Sequence, residues 1–108
     1  MALILLVEDE KLLRLALEQQ LKRAGHQVHA APDLATASEH LGAHQPDVVL
    51  LDLGLPDGHG LDFYEANRER LEGSVVIVMT ALGAVEEAVR AMKLGALDFL
   101  SKPVDQAE

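Results

Sequence analysis

Asp47-Val48-Val49-Leu50-Leu51-Asp52, followed by Leu53-Gly54-Leu55-Pro56-Asp57-Gly58-His59-Gly60, decides the fold. Four consecutive apolar residues, two of them β-branched, fit a strand buried on both faces, as strands of parallel sheets are. The run ends in a carboxylate, and the Gly, Pro and Asp that follow mark a turn-rich loop over 54–60. Asp52 therefore stands at a strand-to-loop junction.

The same pattern recurs on either side. Leu3-Ile4-Leu5-Leu6-Val7 is a second apolar run ending in an acidic pair, and Val75-Val76-Ile77-Val78 is a third, leading into Met79-Thr80-Ala81. Gln27 to Ala30 reads as a weaker strand and Ala96 to Leu100 as a short last one. Between them lie four helical patterns. Glu10 to Ala24 repeats Leu13, Leu17, Leu21 and Ala24 at helical spacing, with Gly25 at its C-terminal cap. A short helix after Asp33, its N-cap, carries Leu34, Ala37 and Leu41. Leu61 to Leu71 turns Leu61, Tyr64 and Leu71 inward. Ala84 to Leu94 carries Val85, Ala88, Val89 and Met92 on one stripe, a Glu86 to Arg90 pair and a Gly95 cap. Five strands alternating with four helices imply an α/β fold with right-handed crossovers and a doubly wound parallel sheet. Ligands of such sheets bind outside the carboxyl ends of the strands.

Composition limits the functions open to it. The 108 residues suit one domain, 49% are hydrophobic and 25% charged, the balance of a globular protein. Eighteen acidic against nine basic residues give a net charge of −9, which repels phosphate backbones and argues against direct nucleic-acid binding. There is no cysteine, hence no disulfide or thiolate metal site. Ala2 to Val7 is too short to cross a membrane and lacks signal-peptide flanks, so a cytoplasmic location without membrane attachment is expected.

The strand ends gather Glu8 and Asp9 after the first strand, Asp52 after the third, Thr80 and Ala81 after the fourth and Lys102 after the fifth. Clustered carboxylates repel one another unless a cation neutralises them. Oxygen-only ligands favour a hard ion, and a few carboxylates plus waters suit Mg²⁺. One Asp52 oxygen can then coordinate the ion while the other attacks phosphorus. Lys102 as a point charge, the Thr80 hydroxyl and the Ala81 backbone N–H supply donors to phosphoryl oxygens.

Leu-Val-Glu-Asp-Glu at 6–10, Asp-Leu-Gly-Leu-Pro-Asp-Gly-His-Gly at 52–60, Met-Thr-Ala at 79–81 and Phe-Leu-Ser-Lys-Pro at 99–103 resemble the signature of response-regulator receiver domains of bacterial two-component systems. The resemblance covers nearly the whole chain. It implies a CheY-like, flavodoxin-like five-stranded sheet of order 2-1-3-4-5. It implies Mg²⁺ bound by Asp9, Asp52 and the Gly54 carbonyl, with Glu8 acting through water, and a histidine kinase that phosphorylates Asp52. It further implies a cis peptide at Lys102-Pro103, and control of phosphate lifetime partly at Gly54 and Leu82. In the family the hydroxyl at the Thr80 position moves toward the phosphoryl group and the aromatic at the Phe99 position turns inward, which reshapes the fourth-helix and fifth-strand surface read by an output domain or partner protein. The wording of 88–100 is similar to receivers attached to enhancer-binding (NtrC-type) activators, so the output is expected to be transcriptional.

Simpler readings compete residue by residue. Asp9 alone could cap a helix, and Lys102 alone could be a solvated charge; the joint placement carries the reading. Phe99 is ambiguous between core and switch, while Phe63 and Tyr64 read as helix packing. His40 and His44, at i,i+4, show no third metal ligand and read as a solvated helix face; His26, His29 and His59 have no better claim. A haloacid-dehalogenase-type phosphatase would need an acid where Gly54 stands, so a self-modified switch is expected rather than a turnover enzyme. A flavodoxin would need a Ser/Thr-rich phosphate loop where Glu8-Asp9-Glu10 stands. A receiver that works without phosphorylation would not be expected to keep Glu8, Asp9, Asp52, Thr80 and Lys102 together.

Residues 1–108 are expected to form one receiver domain truncated at its C-terminus, because a fifth helix would begin near Val104-Asp105 and is largely missing. The apolar area left uncovered near the first and fifth strands favours marginal stability or self-association, including a homodimer.

Overall fold

The structure, a computed structural model, describes residues 2–81 and 83–102. Strands β1 (Leu3–Val7), β2 (Gln27–Ala31), β3 (Val48–Asp52), β6 (Val75–Ala81) and β7 (Asp98–Lys102) form one parallel sheet in the order β2-β1-β3-β6-β7. This is the expected 2-1-3-4-5 order once a small extra ribbon is set aside. That ribbon, β4 (Gly54–Leu55) against β5 (Gly58–His59), is antiparallel and occupies the stretch expected to be a loop.

Helices α1 (Lys11–Arg23), α2 (Leu34–Ala43), α3 (Gly60–Ala66) and α4 (Val85–Leu94) cover the sheet. On one face Leu5, Val7, Val49, Leu51, Val76 and Val78 pack with Ala37 and Leu41 of α2, Leu61, Phe63 and Tyr64 of α3, and Ala91 of α4. On the other, Leu6, Val28 and Met79 pack against Leu17 of α1. The alternation of β-strand side chains explains this split: Leu5 and Val7 point one way, Leu6 the other. The core is aliphatic, with Phe63 and Tyr64 buried as helix packing.

Caps follow the sequence closely. Asp33 accepts the Thr36 N–H at 2.8 Å, and Gly25 and Gly95 adopt positive φ after α1 and α4. Asp57, in the turn of the ribbon, accepts the N–H groups of Leu34 and Ala35 at 2.9 and 3.0 Å. Two otherwise unpaired donors of α2 thereby anchor the loop that follows Asp52.

Three expectations are corrected. α3 ends at Ala66, not Leu71, because the Asn67 side chain bonds back to the Phe63 carbonyl at 2.9 Å; Leu71 is nevertheless buried in the turns beyond. α4 buries Ala88 and Ala91, whereas Val85, Val89 and Met92 of the expected stripe face outward. Arg90 reaches Asp62 and Glu65 of α3, at 3.1 and 3.0 Å, instead of pairing along its own helix. Leu82, the Lys102-Pro103 peptide and the start of the fifth helix lie outside the described residues.

Candidate functional site

Parallel pairing sets the site. Register aligns Val7 with Leu51, Asp52 with Met79 and Ala81 with Lys102, so the residues that close β1, β3, β6 and β7 arrive at one edge. They border a cleft of about 930 Å³ whose walls include Asp9, Asp52, Gly54, Thr80, Ala81 and Lys102. At its centre Asp52 is 4% exposed. Its Oδ1 accepts the Gly54 N–H at 3.3 Å, and its Oδ2 accepts from Lys102 Nζ at 3.0 Å.

Glu8 is wholly buried beside it. Lys102 Nζ lies 2.8 Å from Glu8 Oε1, yet that oxygen receives no well-directed hydrogen bond among the described residues, while Oε2 accepts the Glu10 N–H at 3.0 Å. Asp9 is exposed at the rim, and Arg14 braces the segment through the carbonyls of Glu8 and Asp9 at 3.0 and 3.2 Å. Burial, reinforced by the Glu8 carboxylate and opposed by Lys102, pushes the Asp52 carboxyl up to about 6. For Lys102, burial pulls the ammonium down, but the neighbouring Glu8 and Asp52 outweigh it and hold it above its usual range.

Glu8, Asp9 and Asp52 each offer an oxygen, all within 4.8 Å of one another. Three carboxylates against one ammonium, with a buried oxygen lacking a directed donor, fit a hard divalent cation such as Mg²⁺.

Not every expected residue points at Asp52. Thr80 is buried, but its hydroxyl donates to Glu87 Oε1 of α4 at 3.2 Å. The other Glu87 oxygen pairs with His59 Nε2 at 2.5 Å, and His59 Nδ1 accepts the Leu61 N–H at the start of α3. Glu87 and His59 thus border the cleft, although neither was a candidate from the sequence. Nothing in the spacing signals this pair, because Thr80 lies on β6 and Glu87 in the first turn of α4. Phe99 is 41% exposed and borders an apolar groove of about 440 Å³ with Val85, Val89 and Met92.

The chain is similar to known proteins over nearly its whole length. The transcriptional regulatory protein PhoP of Salmonella typhimurium is 41% identical over 100 residues, which are 93% of this chain and 45% of that protein. The chain therefore spans less than half the length of the curated relatives it matches. The non-phosphorylated HemR receiver domain of Leptospira biflexa superposes with a TM-score of 0.91 at 32% identity, covering 99% of this chain and 86% of that one. A Burkholderia pseudomallei response regulator, determined with a phosphorylated aspartic acid, calcium ion and citrate, gives 0.89 at 25% identity, over 99% and 63% of the two chains. No helix among the described residues is long and apolar enough to cross a membrane. The response regulator receiver domain model matches residues 4–108. With the sheet order and the carboxylate cleft, that match makes this chain a member of the receiver-domain family of two-component response regulators.

Proposed function

We propose that Asp52 is the phosphoacceptor and that the chain works as a self-modified switch rather than as a turnover enzyme. The observation that carries this reading is a buried carboxylate held between Gly54 N–H and Lys102 Nζ at the mouth of the sheet, with Glu8 and Asp9 beside it. An Asp52 oxygen attacks phosphorus of a phosphohistidine on a partner kinase. The P–O bond to Asp52 forms as the P–N bond breaks, and the kinase imidazole leaves with the electron pair and takes up a proton. Lys102, the Thr80 hydroxyl and the Ala81 N–H stabilise the transferred oxygens. Asp9, Asp52 and the Gly54 carbonyl would hold Mg²⁺, with Glu8 acting through water; when bound, the ion neutralises charge on the phosphoryl group. Hydrolysis of the acyl phosphate resets the switch.

The Thr80–Glu87 hydrogen bond supports a route outward. A phosphoryl oxygen that takes over the Thr80 hydroxyl releases Glu87, and with it the start of α4. The groove between α4 and β7, edged by Phe99, is then the surface that changes for an output domain, with regulation of transcription in the cytoplasm as the expected role and a homodimer as one form it takes. Resemblance of PhoP to this chain supports that class of output.

Incubation with Mg²⁺ and a small acyl phosphate, read by intact mass, should add one phosphoryl group to the wild type and none to Asp52→Asn. Equal incorporation in the variant would remove Asp52 from the acceptor role.

A further inference from the structure

We propose that His29, His40 and His44 form a binding site for a divalent transition metal of the zinc class, separate from the carboxylate cleft. His29 lies in the middle of β2 on the face that also carries Ala31, the face α2 covers; His40 and His44 lie one turn apart at the end of α2. The sequence offered only the α2 pair and no third ligand. The fold supplies it.

The rings converge. Their centroids are 4.7 Å apart for His29 and His40, 4.8 Å for His29 and His44, and 6.2 Å for His40 and His44. One nitrogen from each lies within 4.8 Å of the others, and the Nδ1 atoms of His29 and His40 are 3.1 Å apart. Two nitrogens at that separation, each about 2.05 Å from a zinc ion, subtend roughly 100° at the metal, close to a tetrahedral angle. A single neutral His–His hydrogen bond would account for that pair but not for a third imidazole against the same two rings.

The surroundings suit a cation of this kind. A cavity of about 10 Å³ adjoins the cluster, walled by Leu3, Ile4, Leu5 and Pro46, which gives the ligands a dry, apolar back. His44 is exposed and is the C-cap of α2, where unpaired helix carbonyls favour positive charge and solvent can supply a fourth ligand. Imidazole nitrogens select borderline ions such as Zn²⁺, Ni²⁺ and Cu²⁺, whereas the oxygen cluster at the other end of the strands selects hard ones. Such an ion would staple α2 to the sheet-edge strand β2.

Titration calorimetry of the 108-residue chain with Zn²⁺, in excess Mg²⁺ so that the carboxylates are occupied, tests this. One equivalent should bind and raise the melting temperature. His44→Gln and His40→Gln, on the helix surface, should each weaken binding at least about tenfold, and His26→Gln and Asp52→Asn should leave it unchanged. Tetrahedral visible absorption on Co²⁺ substitution should vanish in His44→Gln. Absence of saturable binding would overturn the site, as would unaltered affinity in both α2 variants, or loss in Asp52→Asn alone.

Discussion

At the scale of single residues, Asp52 and Gly60 set conditions on each other. A Cβ on Gly60 would lie 2.6 Å from the Asp52 carbonyl oxygen and 2.9 Å from Leu53 Cα, so the backbone leaving Asp52 has to move if Gly60 is replaced. Gly60→Ala is expected to cost about 1–3 kcal/mol in urea unfolding and to slow phosphorylation at least about tenfold, since sub-ångström misplacement is expensive in phosphoryl transfer. An unchanged rate would show that the loop relaxes freely. Asp52 also imposes a pH signature on the metal-free protein. Its folded pKa of about 6 lies above its ordinary value of 3.8, so between those values the folded state holds more protons than the unfolded one. The contribution of Asp52 to stability is therefore greatest below pH 4, falls as pH rises toward 6, and stays low above it. Urea titrations across that window should show a decline with pH that is absent in Asp52→Asn; parallel curves for the two proteins would refute it. The place of Asp52 at the strand end was legible in the letters because an apolar run ends on it. The Thr80–Glu87–His59 chain was not, since it depends on how far α4 swings back over β6.

At the scale of elements, β1, β3 and β6 were the most legible, because uninterrupted Val, Leu and Ile runs have one use in a parallel sheet, whereas β7 runs Asp98–Lys102 instead of the expected Ala96 to Leu100. The β4–β5 ribbon carries no periodicity, being four residues joined by a two-residue turn, and its role as an anchor for α2 through Asp57 needed coordinates. α4 misled for a different reason: it is apolar on two sides, and the smaller side, Ala88 and Ala91, is the one that fits close to the core. His29 could have been placed by alternation along β2, which sets it on the same face as Ala31; what the sequence lacked was the packing of α2 onto that face. The ends of α1 and α4 were signalled by glycine. Gly95 closes α4 at φ 111°, with the Tyr64 hydroxyl 3.4 Å from where a Cβ would stand. Gly95→Ala should destabilise by about 1–2 kcal/mol, measured by thermal or urea unfolding; a loss below a few tenths would mean that the cap adopts another geometry at little expense.

At the scale of the whole molecule, one ammonium spans the sheet. Lys102, the last residue of β7, contacts Glu8 after β1 and Asp52 on β3, crossing over β6 to do so. Lys102→Ala leaves Glu8 buried without its countercharge and is expected to cost about 2–4 kcal/mol at neutral pH, together with phosphorylation. Recovery of most of that stability in Lys102→Ala with Glu8→Gln would confirm that the loss comes from the stranded carboxylate; no recovery would assign it to packing. The same span has a consequence for the chain's birth. Because β1 and β7 both furnish groups to the cleft, a nascent polypeptide has no assembled cleft until β7 has left the ribosome and docked beside β6. Assembly of the cleft thus waits on β7 during synthesis, and a copy that stops short of that strand keeps its carboxylates without their shared ammonium.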